Sequence, residues 1–181
     1  MNRTDALVAV LREPEFSHGE AMEILGASCG ITTATLMTWY KRDLVPLPEH
    51  GNPGRGHRRQ YSAQDLLTLH VMKIVMPAVG QAQCELVAHD CTWIAVKHYW
   101  ATLPSAADTD GFPEVYLVIS RRAQDFAVNP VAAGELSEWI RETSCADADL
   151  VQPEIRVFIN LREVFVKLLA RIAEVKEKRG K

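Results

Sequence analysis

Arg55, His57, Arg58 and Arg59 crowd into five consecutive positions of the run HGNPGRGHRRQY, which also holds Gly51, Gly54 and Gly56. Guanidinium groups at that density suit phosphate oxygens, which they meet as charge-assisted and often bidentate donors. The glycines, with Asn52 and Pro53, supply the tight turn of a ribbon. Upstream lies a second set: Thr32, Thr33, Met37, Thr38, Lys41 and Arg42. Leu36, Trp39 and Tyr40 recur at helical spacing and would bury one face of this segment, leaving the threonines, Met37 and Lys41 on the other. Side chains that short or flexible reach base edges and phosphates when a helix lies in a major groove. The chemistry is therefore directed at duplex DNA, with a helix reading sequence and a basic wing gripping the backbone.

The elements that must position these groups are legible around them. Residues 4–12 read as a short leading helix ended by Pro14, residues 19–25 as the first helix of a helix-turn-helix, and residues 26–30 as its turn. Thr32, Thr33 and Thr35 offer N-caps for the second helix, which Pro46 and Pro48 stop. Ser62 caps the helix after the wing, with Asp65 three residues on. Pro77 ends that helix beyond the apolar run Leu66, Leu67, Leu69, Val71, Met72 and Ile74.

In this order and spacing the segment resembles the winged helix-turn-helix of the MerR family. The residues that carry the likeness are Thr35-Leu36, Trp39-Tyr40, Lys41-Arg42, the turn from Leu44 to Pro46, and Arg58-Arg59-Gln60-Tyr61-Ser62 with Asp65. It covers about residues 17 to 88 and departs at Met37, where many relatives carry arginine, at the inserted Gln60, and in a long wing turn. The resemblance implies that Thr33, Met37, Thr38 and Lys41 enter a major groove and that Arg58 and Arg59 neutralise phosphates. It also implies that Tyr61 donates a hydrogen bond to a phosphate, while Leu36, Trp39 and Leu66 hold the helix and wing by packing. One short helix touches few bases, so a homodimer on an inverted-repeat operator is expected.

Composition agrees with a small two-part regulator. The chain has 181 residues, 48% of them apolar and 24% charged, which is ordinary for a globular protein. Between Gly30 and Ser62 five cations stand against Asp43 and Glu49, a surplus of three on a chain of net charge −3. A basic surface on an otherwise acidic protein attracts phosphate without strong general adhesion. No run approaches the roughly eighteen apolar residues of a membrane span. The N-terminal apolar patch is broken by Asp5, Arg12 and Glu13, unlike a signal peptide, so a cytoplasmic location is expected. Cys29, Cys84, Cys91 and Cys145 are widely spaced and read as free thiols.

The fold class is α+β: an N-terminal MerR-like winged helix-turn-helix and a following helix in residues 1–103, then a small α+β dimerisation or effector domain in residues 112–181. Residues 81–103 carry Leu86, Val87, Cys91, Ile94, Ala95 and His98 at helical spacing, and LPSAADTDGFP follows as a linker. Residues 114–120 read as a strand, residues 125–129 as its partner through a turn at Arg121 and Arg122, and residues 134–142 as a helix. Residues 154–159 form another strand leading into Asn160, an N-cap with Glu163 placed for a capping box. The final helix presents Leu161, Phe165, Leu168, Ile172 and Val175 at spacings of four, three, four and three. That stripe fits either a dimer seam or packing on the chain's own sheet, and the charged end, KEKRGK, reads as frayed.

Other chemistry has less support. Cys84 and Cys91, with His89 and His98, are metal-ligand types, but seven residues along a helix separate them by about 10 Å, too far for one ion. Trp93, Tyr99, Trp100 and Phe112 could line a small-molecule effector pocket or belong to core or interface. No hydrolase, nucleotide or metalloprotease motif is present, so neither catalysis nor a cofactor is expected. Two alternatives to a self-sufficient regulator remain open: a module that recruits a partner such as RNA polymerase to DNA, and an excisionase-like architectural protein.

Overall fold

A computed structural model describes residues 12–45, 59–95, 114–122, 125–145 and 156–180. Its elements run β1 (Phe16–Ser17), α1 (His18–Cys29), α2 (Thr33–Lys41), β2 (Gln60–Tyr61), α3 (Ala63–Val79), α4 (Gln81–Ala95), β3 (Val115–Arg122), β4 (Asp125–Ala132), a 3-10 turn (Ala133–Glu135), α5 (Leu136–Cys145), β5 (Arg156–Asn160) and α6 (Leu161–Arg179). The class is mixed helix and strand, a helix-turn-helix region followed by a small sheet unit, as the residue pattern predicts. The leading helix, the wing turn with Arg55, His57 and Arg58, and the segment with His98, Tyr99, Trp100 and Phe112 lie outside the described residues.

Local signals set the helix ends, and three differ from expectation. Ser17 caps α1 through a capping box in which Glu20 N–H donates to Ser17 Oγ and Ser17 N–H donates to the Glu20 carboxylate at 2.8 Å. The helix then continues through Gly26 to Cys29 rather than stopping at residue 25. Gly26 is a tolerable interior glycine, whereas Gly30, at φ 71°, adopts the left-handed conformation that closes the helix, with Ile31 N–H reaching Leu25 O at 3.4 Å. The second helix, α2, stops at Lys41, ahead of Pro46. Asp43, at φ 50°, takes the left-handed cap position, and Leu44 N–H bonds Trp39 O at 3.0 Å. Pro77 does not end α3. It sits in the last turn, where its missing N–H removes one bond, and the helix closes two residues on through Gly80 N–H to Met76 O at 3.0 Å.

Helix α3 is the hub. Leu66, Leu67, Leu69, His70, Val71, Met72, Val75 and Val79 are buried around its circumference, as expected for a helix with neighbours on several sides. It packs on α1, α4 and α6. From α4 it receives Cys84, Val87, Ala88 and Cys91, while Leu86, expected on the same face as Val87, is 64% exposed.

The sheet has the order β4-β3-β5 with both pairings antiparallel. Leu117 and Ile119 of β3 stand opposite Ile159 and Val157 of β5, and this apolar face joins the helical core. The β3–β4 turn falls after Arg122 rather than on it, because both strands run longer than expected. Pro130, which cannot donate to a ladder, is accommodated because β4 is an edge strand.

Asn160 caps α6 by accepting from Glu163 N–H at 3.2 Å. Only half of the expected capping box forms, since the Glu163 carboxylate pairs with Lys167 at 2.6 Å. The stripe on α6 lies within the protomer: Leu161, Phe165 and Leu168 are fully buried, and Ile172 and Val175 nearly so, against α1, α3 and the sheet. An apolar face already covered by its own chain has nothing left to form a seam, so the expectation of a dimer contact through these five residues is corrected. The charged end is not frayed either. Lys176 pairs with Glu15 at 2.8 Å, and Lys178 and Arg179 pair with Glu23 and Glu20 of α1.

Candidate nucleic-acid interface

Helix α2 divides as its periodicity predicts. Leu36 is fully buried and Trp39 and Tyr40 nearly so, while Thr32, Thr33, Thr38, Lys41 and Arg42 are exposed. Their hydroxyls are not equivalent. Thr32 Oγ1 accepts from Thr35 N–H at 3.1 Å and bonds the Thr35 hydroxyl at 2.9 Å, so it caps the helix. Thr38 donates to Ala34 O at 2.8 Å and keeps its lone pairs for an incoming donor. Thr33 and Lys41 lie two turns apart on the exposed side. Met37, between them, is half-buried against the core.

The wing base is fixed to α2 by a chain of contacts that sequence reasoning missed. Strand β2 pairs with β1, setting Tyr61 opposite Phe16 and Gln60 opposite Ser17. Alternation along the strand turns Gln60 outward and Tyr61 inward. Tyr61 is fully buried, its hydroxyl 3.1 Å from His18 Nδ1 and accepting from the Tyr40 hydroxyl at 3.3 Å. The expectation that Tyr61 donates to a phosphate is therefore corrected: its hydroxyl joins α1, β2 and α2 beneath the surface. Burial first, and the Tyr61 bond second, raise the Tyr40 phenol well above its ordinary range, so it remains a neutral donor.

Arg59 is the described member of the wing cluster. Its guanidinium carbon lies 4.5 Å from the centre of the Tyr40 ring, and Nη1 is 3.8 Å from Met37 Sδ. Cation–π stacking holds such a group while leaving in-plane N–H donors for an anion. Ser17, His18, Gly19, Met37 and Arg59 line an open cleft of about 510 Å³ where α1, α2 and the wing base meet. Ser17, His18 and Gly19 were not among the expected site residues. The spacing of Ser17 and Glu20, a capping-box signature, could have placed them at the start of a helix.

Cys84 and Cys91 take no part in this surface. Both are fully buried, and burial, with Asp90 adding, pushes the Cys91 thiol up to about 12. A thiol kept protonated behaves as a small apolar core group. Among the described residues no group of three metal-ligating side chains gathers, and no helix is long and apolar enough to cross a membrane.

Compared with known families, residues 17–77 match the model of the MerR HTH family regulatory proteins. No curated protein matches the chain. The match begins at the Ser17 cap and ends at Pro77 in the last turn of α3, so it takes in α1, α2, β2 and nearly all of α3.

Proposed function

From the MerR-type helix-turn-helix over residues 17–77, we infer that this protein is a sequence-specific transcriptional regulator that binds an inverted-repeat operator as a homodimer. The observation that carries this reading is the exposed face of α2, with Thr33, Thr38 and Lys41 beside an Arg59 held by the Tyr40 ring. Thr33, Met37, Thr38 and Lys41 meet base edges in the major groove, and Arg59, with Arg55, His57 and Arg58, grips the adjacent backbone. Thr32 serves by holding the helix start, and Arg42, the C-cap residue of α2, supplies charge there.

The α6 stripe belongs to the protomer core, so the dimer contact is assigned to the outer face of α4. Leu86 and Trp93 are 64% and 49% exposed and two helical turns apart. The protein acts by binding, not by catalysis, in the cytoplasm.

The test is selection from randomised duplexes followed by salt titration of the enriched sequence. A symmetric motif is expected, bound with a steep loss of affinity as salt rises. Arg59→Ala should flatten the slope by about one, the signature of one lost phosphate contact. Absence of enrichment refutes sequence-specific binding, and an unchanged slope removes Arg59 from the interface.

A further inference from the structure

Helix α6 carries a terminal cluster that DNA reading does not explain. Its last turn holds Lys176, Lys178 and Arg179, all facing acids near or on α1. Lys176 Nζ is 2.8 Å from Glu15, Lys178 pairs with Glu23, and Arg179 pairs with Glu20 and donates to Glu15 O at 2.8 Å. Lys176 and Arg179 also sit over the Phe16 ring, at 5.8 and 5.3 Å from its centre. Buried Ile172 and Val175 continue the contact along α6 toward its middle.

These attachments converge on the residues that support the reading surface. Glu20, bound by Arg179, is the acid of the capping box that starts α1. Its carboxyl is held at about 2, chiefly by the Arg179 bond. The next residue after the Ser17 cap, His18, contacts the Tyr61 hydroxyl; Tyr61 accepts from Tyr40 of α2; and the Tyr40 ring carries Arg59. Phe16, beneath the two cations, is the strand partner of Tyr61.

We propose that Lys176, Lys178 and Arg179 are positioning residues for DNA binding: the end of α6 braces α1 and β1, and through them sets the relative placement of α2 and the wing base. The brace rests on the proposed DNA-binding role, but it has a physical consequence in the absence of DNA. It makes the C-terminal sheet unit part of the reading head, so that a change in the seating of α6 alters operator affinity without any C-terminal residue touching DNA.

Glu23→Lys separates this from simple attraction. The substitution makes the protein more positive, so general electrostatics, or direct phosphate contacts by Lys178, would tighten binding. The brace instead requires weaker binding, about three- to fivefold on the enriched duplex, on the scale of one exposed ion pair converted to a repulsion. Amide hydrogen exchange of Thr33–Lys41 should rise severalfold without DNA, while α4 and the β3–β4 pair stay unchanged. The double variant Glu23→Lys, Lys178→Glu should restore both readouts. Equal or tighter binding by Glu23→Lys, or faster exchange confined to α1 and α6, overturns the proposal. Failure of the wild-type chain to enrich any duplex would refute the DNA-binding reading alone, because the exchange measurement still decides the brace. If Glu23→Lys does not fold, Lys178→Gln carries the same exchange test with a smaller expected rise.

Discussion

Acidification should destabilise this protein through His70. It sits in the middle of α3, 3% exposed, with Nδ1 buried and, among the described residues, lacking a hydrogen-bond partner. Burial first, and the nearby Lys167 cation second, lower its pKa from 6.5 to about 4. The unfolded chain therefore takes up a proton that the folded chain refuses. Its contribution to stability is fully present above pH 6.5, falls as pH drops below that value, and is fully lost once pH has passed through about 4. With these pKa values the loss is roughly 1 kcal/mol at pH 5.5 and roughly 2 to 3 kcal/mol at pH 4.5, a large part of an ordinary domain's margin. Urea unfolding of the wild type and His70→Leu, followed by circular dichroism from pH 7.5 to 4.5, isolates this contribution because other groups cancel in the difference. Leucine fills a similar volume and removes the orphaned nitrogen, so the variant should gain on the wild type steadily as pH falls. A difference that stays flat across that range would show that His70 takes up its proton equally in the folded and unfolded chains, and the argument from burial would be wrong.

Three further outcomes follow from named contacts. Tyr61→Phe should cost about 1 kcal/mol in stability, the net worth of a buried hydrogen bond, and leave the salt slope of DNA binding intact; a flattened slope would return Tyr61 to the phosphate backbone. Lys41→Ala should change preference among operator variants by about 1 to 3 kcal/mol, whereas equal losses on every sequence would make it a backbone contact. Leu168→Lys places a charge at a fully buried position, at a cost of several kcal/mol. Loss of the sheet unit's folded structure is expected by circular dichroism, and a folded monomer in sedimentation would instead restore α6 as the dimer seam.

How much of this was legible in the sequence depended on how far apart the deciding residues lie. The caps Ser17, Thr32, Ser62 and Asn160 each accept from the amide three residues on, so a short window contains the whole interaction. The split of α2 into a buried face at Leu36, Trp39 and Tyr40 and an exposed one at Thr33, Thr38 and Lys41 follows from periodicity alone. The helix ends were harder. Prolines at 46 and 77 look like terminators, but Asp43 in a left-handed conformation had already stopped α2, and Pro77 removes a single bond while the helix runs on to Val79. A residue's type shows what it can disrupt, whereas its place within the last turn determines whether anything is disrupted.

Tyr61 and the end of α6 were misread for a different reason. A tyrosine beside a basic wing has a phosphate within chemical reach, and nothing local reveals that His18, 43 residues earlier, and Tyr40, 21 residues earlier, already hold its hydroxyl. Likewise a run of lysines and arginines at a chain end looks solvated until Glu20 and Glu23, 159 and 155 residues away, are found opposite it. Exposed pairs of that kind contribute little energy each, so they leave no trace in hydrophobic patterning. Their importance lies in where they attach. An acid that both starts α1 and receives Arg179 joins a local cap to a long-range contact, and the proposed brace acts through both.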